Sequence, residues 1–243
     1  MRLIITGFGS FAGVARNPTE QLIAHLEQGA DLVPGVDLEL RTLRVAASAA
    51  DSFANSLSGD GGDAGDGPLL LVHLGVDSRP NRPPHIALER CAYNECGFSV
   101  PDEDGLSLGR ETACCRGGEG GVCAPPLGAR LSTGLDLQVL KRALERRRDA
   151  RGRPPEYDVD VSEDAGRFLC NYVYARSLLE CARLRGAARG EDGRGGGGAG
   201  AAPRRAEALF VHVPPFAVLP ERAQREALVD LLRELVEMMN DKQ

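Results

Sequence analysis

The chain has 243 residues, 42% of them hydrophobic, and a formal net charge of −6. This is enough apolar material for one domain over residues 1–243 with a sizeable core, while the acidic balance argues against nucleic acid as a main partner. No stretch approaches the roughly 20 apolar residues of a membrane span, and the apolar run at the start is too short for a secretion signal. Seven cysteines without framework spacing point to reduced thiols in the cytoplasm. The composition is silent on oligomeric state.

Leu3 to Thr6 reads as an apolar, β-branched strand, followed by the loop GFGSFAG. Asn17, Pro18 and Glu20 then form a helix start, with Asn at the N-cap, Pro at N1 and Glu at N3. That helix is expected to end near Gly29. Val36–Val45 alternates and predicts a second strand, and Ala46–Leu57 a second helix. Gly59–Gly67 is an acidic, Gly-rich loop. The continuous apolar run Leu69–Val76, LLLVHLGV, is the pattern of a central strand covered on both faces. Strands alternating with helices predict an α/β sheet with helices on both sides, with functional groups gathered at the carboxyl ends of its strands. GFGSF and GVDSRP lie at two such ends.

Asn81–Pro84 is a proline-rich loop leading to IALERCAYN, where Glu89 sits among apolar neighbours. An unpaired carboxylate there would be costly, so Glu89 must pair with Arg90 or orient a histidine. Cys96–Leu131 shows no regular pattern. Leu135–Arg148 predicts a strongly basic helix, expected as a solvated outer face. YDVDVS predicts a short strand, after which Ser162 or Asp164 can cap a helix running to about Leu184. Cys170 would lie in its first two turns, where unpaired N–H groups and the macrodipole favour a thiolate and Arg167 adds positive charge. Phe168, Leu169, Tyr172 and Val173 would face the core. A lone cysteine is more often a buried structural thiol, so a catalytic reading needs a base and an acid. Gly186–Arg205 is a low-complexity insertion. FVHVPPF then predicts a short strand carrying His212, and Glu221–Met239 a closing amphipathic helix.

Four segments, GFGSF with the following NP, LERCAYN, DAGRFLCNYVY and FVHVPP, resemble in this order the signature segments of the pyroglutamyl peptidase I family of cysteine peptidases. The resemblance runs from about Arg2 to Phe216. It implies a three-layer α/β/α sandwich around a mostly parallel twisted sheet and no cofactor. It also implies a Cys170–His212–Glu89 triad acting on small peptides with an N-terminal pyroglutamate. By the same resemblance Phe8, Phe11 and Phe168 form a pocket for the lactam ring, Asn17 braces the pocket loop, and Arg90 helps backbone N–H groups to hold an oxyanion. Against the family pattern the chain has about three extra residues between Gly75 and Glu89, and Ala87 replaces a usual Ser or Thr. A second function class is a catalytically drifted member of the same fold that only binds peptide or protein.

Other signals compete. GFGSFA fits a loose dinucleotide fingerprint, with Glu39 late in the next strand. The helix start at Asn17 comes well after the motif, however, and two phenyl rings suit an apolar ligand better than pyrophosphate. Cys91, Cys96, Cys114, Cys115 and Cys123 lack the paired spacing of a zinc site and are expected as surface thiols, so no metal is assigned. His25 and His73 read as structural. His85 is the rival to His212 as a base.

Overall fold

The computed structural model describes residues 1–11, 16–28, 33–58, 67–77, 83–113, 125–186 and 204–241. Most of the two Gly-rich segments, Cys114, Cys115, Cys123 and part of the Asn81–Pro84 loop lie outside the described residues. The strands are β1 (Arg2–Phe8), β2 (Asp37–Leu43), β3 (Leu69–Val76), β4 (His85–Glu89), β5 (Cys91–Tyr93), β6 (Arg130–Ser132), β7 (Asp158–Ser162) and β8 (Ala206–Val213). The helices are α1 (Pro18–Gln28), α2 (Ala47–Ser58), α3 (Leu137–Asp149), α4 (Leu169–Gly186) and α5 (Glu221–Asn240).

Six strands form one sheet in the order β2-β1-β3-β8-β4-β7. β2, β1, β3 and β8 run parallel. β4 and β7 are parallel to each other, but β4 meets β8 antiparallel. β5 and β6 make a small separate antiparallel pair.

The central strands read as unbroken apolar runs, yet their pleat sorts them between two cores. Leu70, Val72 and Leu74 of β3 and Leu209 and Val211 of β8 pack with α1, α3 and α5. Leu69, Leu71, Ala206, Ala208 and Phe210 pack with α2 and α4. Side chains alternate along a strand, so His73, Gly75, His212 and Glu89 all fall on the α4 side. The three expected layers are present, and this alternation decides which of them holds the chemistry.

Several local expectations are corrected. The basic helix α3 does not simply face solvent, because it forms an ion-pair ladder with α5. Arg147 pairs with Glu234 and Glu237, and beyond the helix Arg151 pairs with Asp230 and Glu226. Cys91 and Cys96 are fully buried rather than surface thiols. Their sulfurs donate to the backbone oxygens of Glu163 and Glu111, and burial pushes the Cys91 thiol up. The irregular region after Cys96 docks through its PDEDG run. Asp102 accepts from the N–H of Ala47 at the start of α2 at 2.9 Å and from the N–H groups of Asp104 and Leu106, while Asp104 pairs with Arg44.

Candidate active site

Cys170 is the second residue of α4, and the helix begins later than Ser162 or Asp164. Those two residues instead shape the preceding turn. The Asp164 N–H donates to Ser162 Oγ and the Gly166 N–H to Asp164 Oδ1, and Gly166 takes a φ of 85° that favours glycine. The first helical bond runs from the Tyr172 N–H to the Phe168 oxygen, so Cys170 stands among the unpaired N–H groups of the helix start. Arg167 does not add free positive charge there. It donates to Asp164 Oδ1 at 2.6 Å and stacks over the Tyr93 ring.

His212 sits one residue before the end of β8 and is 6% exposed. Its Nδ1–H donates to Glu89 Oε1 at 2.7 Å. That leaves Nε2 clear of the carboxylate, and Cys170 is the other side chain that acts on the ring. Glu89 is fully buried, and its Oε2 has no hydrogen-bond partner. Glu89 comes from the antiparallel strand: Ala87 is the register partner of His212, and Glu89 that of Phe210. Glu89 is the last residue of β4, but because β4 runs against β8 its carboxyl end lies deeper along the sheet than those of β1, β3 and β8. Burial opposes charging His212, yet its interactions with Cys170 and Glu89 outweigh burial and push it up to about 10. A histidine so placed keeps its proton beside the sulfur.

Gly75, opposite His212 on β3, was not singled out from the sequence. A Cβ there would lie 2.5 Å from the tip of the Phe210 ring and 3.3 Å from Cys170 Sγ. The glycine thus makes room for the thiol. Its only sequence signal is a glycine closing an otherwise large-residue apolar run.

A cavity of about 290 Å³ opens beside Cys170, lined by Phe8, Phe11, Asn17, Val45, Phe168 and others. Phe11 and Phe168 stand 6.0 Å apart, centroid to centroid. Asn17 is buried, donates to the Gly9 oxygen at 3.0 Å and accepts from the Thr19 N–H and hydroxyl. Ser99 and Val100 also line the cavity, from the stretch after Cys96 that shows no regular pattern. Arg90 is not among the lining residues. Its guanidinium pairs with Glu163 at 2.8 Å, so the structure separates it from the other expected pocket groups.

The remaining histidines are engaged elsewhere. His73 is fully buried, hydrogen-bonded to Thr6 Oγ1 at 2.7 Å and Ser177 Oγ at 2.9 Å, and burial pushes it down to about 3. His85 contacts Pro83 O and Asp77. Glu39, the would-be ribose acid, is held by Arg2 and Arg41. Among the described residues no group of three or more His, Cys, Asp or Glu could hold a metal ion, and no helix is long and apolar enough to cross a membrane.

The helix-borne Cys170 thiol lies beside a histidine that is bonded to a buried carboxylate, and such a grouping has the parts a thiol hydrolase needs. No protein-family model matches the chain. Curated relatives are nonetheless similar over most of it. Pyroglutamyl-peptidase 1 of Rattus norvegicus is 26% identical over 98% of this chain and 88% of its own length. Pyrrolidone-carboxylate peptidase of Pyrococcus furiosus is 28% identical over 73% of this chain and 72% of its own. A solved structure of a pyrrolidone carboxyl peptidase mutant from Pyrococcus furiosus superposes with a TM-score of 0.69 at 22% identity, covering 98% of this chain and all of that one. The chain therefore resembles the pyroglutamyl peptidases in sequence and shares the fold of their solved structures.

Proposed function

We propose that the chain is a cytoplasmic cysteine peptidase, one domain over residues 1–243, that removes N-terminal pyroglutamate from small peptides. The observation that carries this is the bond from Glu89 Oε1 to the His212 ring, with the Cys170 thiol as the other group acting on that ring. Cys170 lines an apolar cavity of about 290 Å³. The names of the relatives supply the substrate.

The reaction needs groups this chain has. The Cys170 sulfur, its proton on His212, attacks the carbonyl joining pyroglutamate to the next residue. The C–S bond forms, and the carbonyl oxygen takes negative charge beside the first N–H groups of α4, which have no partner within the helix. Because Arg90 is turned to Glu163, these backbone donors carry that task. His212 then protonates the leaving amine as the C–N bond breaks, leaving a thioester. A water gives a proton to His212, attacks the thioester, and releases pyroglutamate and the sulfur. Glu89 holds the Nδ1–H tautomer and steadies the imidazolium.

The lactam is uncharged, so the phenyl-lined cavity can take it without burying an ion. The deciding assay is turnover of a chromogenic pyroglutamyl amide. Turnover is expected, with nearly all of it lost in Cys170→Ser at an unchanged melting temperature. A folded wild-type chain that leaves the amide intact would refute the reading.

A further inference from the structure

Some buried polar contacts around the site have no part in the chemistry described above. They join α4 to residues 89–95. Tyr174 lies one turn beyond Cys170 on the same helix and is fully buried. Its hydroxyl donates to the Glu89 backbone oxygen at 2.8 Å, and its ring lies 5.9 Å from that of Phe210. Glu89 and Phe210 are register partners, so this hydroxyl ties α4 to β4 next to the Glu89–His212 contact. Burial and the charge of Glu89 hold the phenol well above its usual range, so it stays a donor. Asn171, also fully buried, ties down the next stretch. Its Oδ1 accepts from the Tyr93 N–H at 2.8 Å, and its Nδ2 donates to the Tyr93 and Glu95 oxygens at 2.9 and 2.7 Å.

Glu89 has little else to fix its side chain. One carboxylate oxygen binds His212, and the other is buried without a partner. The carboxylate is therefore placed by its backbone, and that backbone is held from α4. We propose that Tyr174 and Asn171 are positioning residues: two pins, on the nucleophile's own helix, that fix Glu89, and through it His212, relative to Cys170.

The inference rests on the triad reading above, and its test needs no substrate. The titratable groups acting on His212 are Glu89 from β4 and Cys170 from α4. β3 places Gly75 opposite it, and the Asp77–His85 pair lies at the ends of β3 and β4. The rate at which iodoacetamide alkylates Cys170, followed by mass spectrometry across pH, reports the His212 titration as a limb at alkaline pH. Tyr174→Phe and Asn171→Ala are each expected to move that limb about one unit lower, because a loosened carboxylate holds the imidazolium less well. Each should also lower kcat on the pyroglutamyl amide about tenfold, with KM held within about twofold. Tyr172→Phe is the control: it removes a bond to Asp51 of 2.7 Å from the same helix, away from Glu89, and should leave limb and kcat in place. A limb unmoved in a folded pin variant, or moved equally in the control, overturns the proposal. If one pin variant does not fold, the other decides. A wild-type chain with the alkaline limb but no turnover would sink the substrate reading alone, leaving the pins to be judged on the limb.

Discussion

Replacing Gly75 by alanine adds one methyl group at the centre of the site. The new Cβ would meet the Phe210 ring at 2.5 and 2.7 Å and the Cys170 sulfur at 3.3 Å. Contacts under 3 Å force something to move. The ring has little freedom: Phe210 is fully buried, with the His212 ring at 4.8 Å, Tyr174 at 5.9 Å and His73 at 6.1 Å. Overpacking of this kind costs about 1–3 kcal/mol, which is about 3–10 °C in melting temperature for a domain of this size. The larger effect falls on turnover. If Phe210 shifts it presses on His212, and if the strand shifts it presses on the thiol, and a misplacement of ~1 Å can cost roughly a hundredfold. Calorimetry and amide hydrolysis on the same preparation separate the two effects. An alanine variant with wild-type kcat and melting temperature would show that the site is looser than these distances state.

Three further expectations follow from the same contacts. A panel of amides differing only in the first residue should show cleavage after pyroglutamate and rejection of glutamine, glutamate and, more weakly, proline, because their charged amines would be buried unpaired; comparable kcat/KM for the glutamine amide would refute the pocket assignment. Asp102→Ala removes the cap of α2 and leaves the N–H groups of Ala47, Asp104 and Leu106 without their acceptor, so chemical denaturation should show a loss of about 2 kcal/mol; KM should rise because Ser99 and Val100 lose support, and an unchanged denaturation midpoint would sink the argument. His212 and His73, both buried, should act on opposite sides of neutrality. His212, raised from 6.5 to about 10, contributes stability that is full below about 6.5 and lost as pH climbs to about 10; His73, lowered from 6.5 to about 3, contributes stability that is full above about 6.5 and lost as pH falls toward 3. Melting temperatures of His212→Asn and His73→Gln across pH should flatten the alkaline and the acid side respectively, and unchanged curves would contradict both.

Much of this was legible in the chain. The periodicity of the helices, the unbroken run of β3 and the Asn17-Pro18 start matched the observed elements within a few residues, because each obeys a local rule. Cys170, Glu89 and His212 each stood out from their settings, but only the resemblance joined them as a triad. What stayed hidden depends on pairing across the sheet. The sequence of β4 does not show that it runs antiparallel to β8, so the depth of Glu89 beside Phe210 was not readable. Arg90, which follows β4, gave no sign in the sequence of its pairing with Glu163. Asp102 reads as a turn residue and acts as a distant helix cap. Gly75 carries no side chain to signal the crowding it relieves.

The place of β8 in the sheet also bears on how the chain is made. This strand is the last of the eight in sequence but lies between β3 and β4, where it joins the two halves of the sheet. A nascent chain that has not yet reached Ala206 has apolar edges on both β3 and β4 with no partner, the kind of exposed strand that recruits other chains. It also lacks His212, so neither fold nor site can close early. A chain released at Arg205 is expected to bind hydrophobic dyes and melt without a cooperative transition, and a sharp transition in that fragment would show that the two halves stand without their central strand.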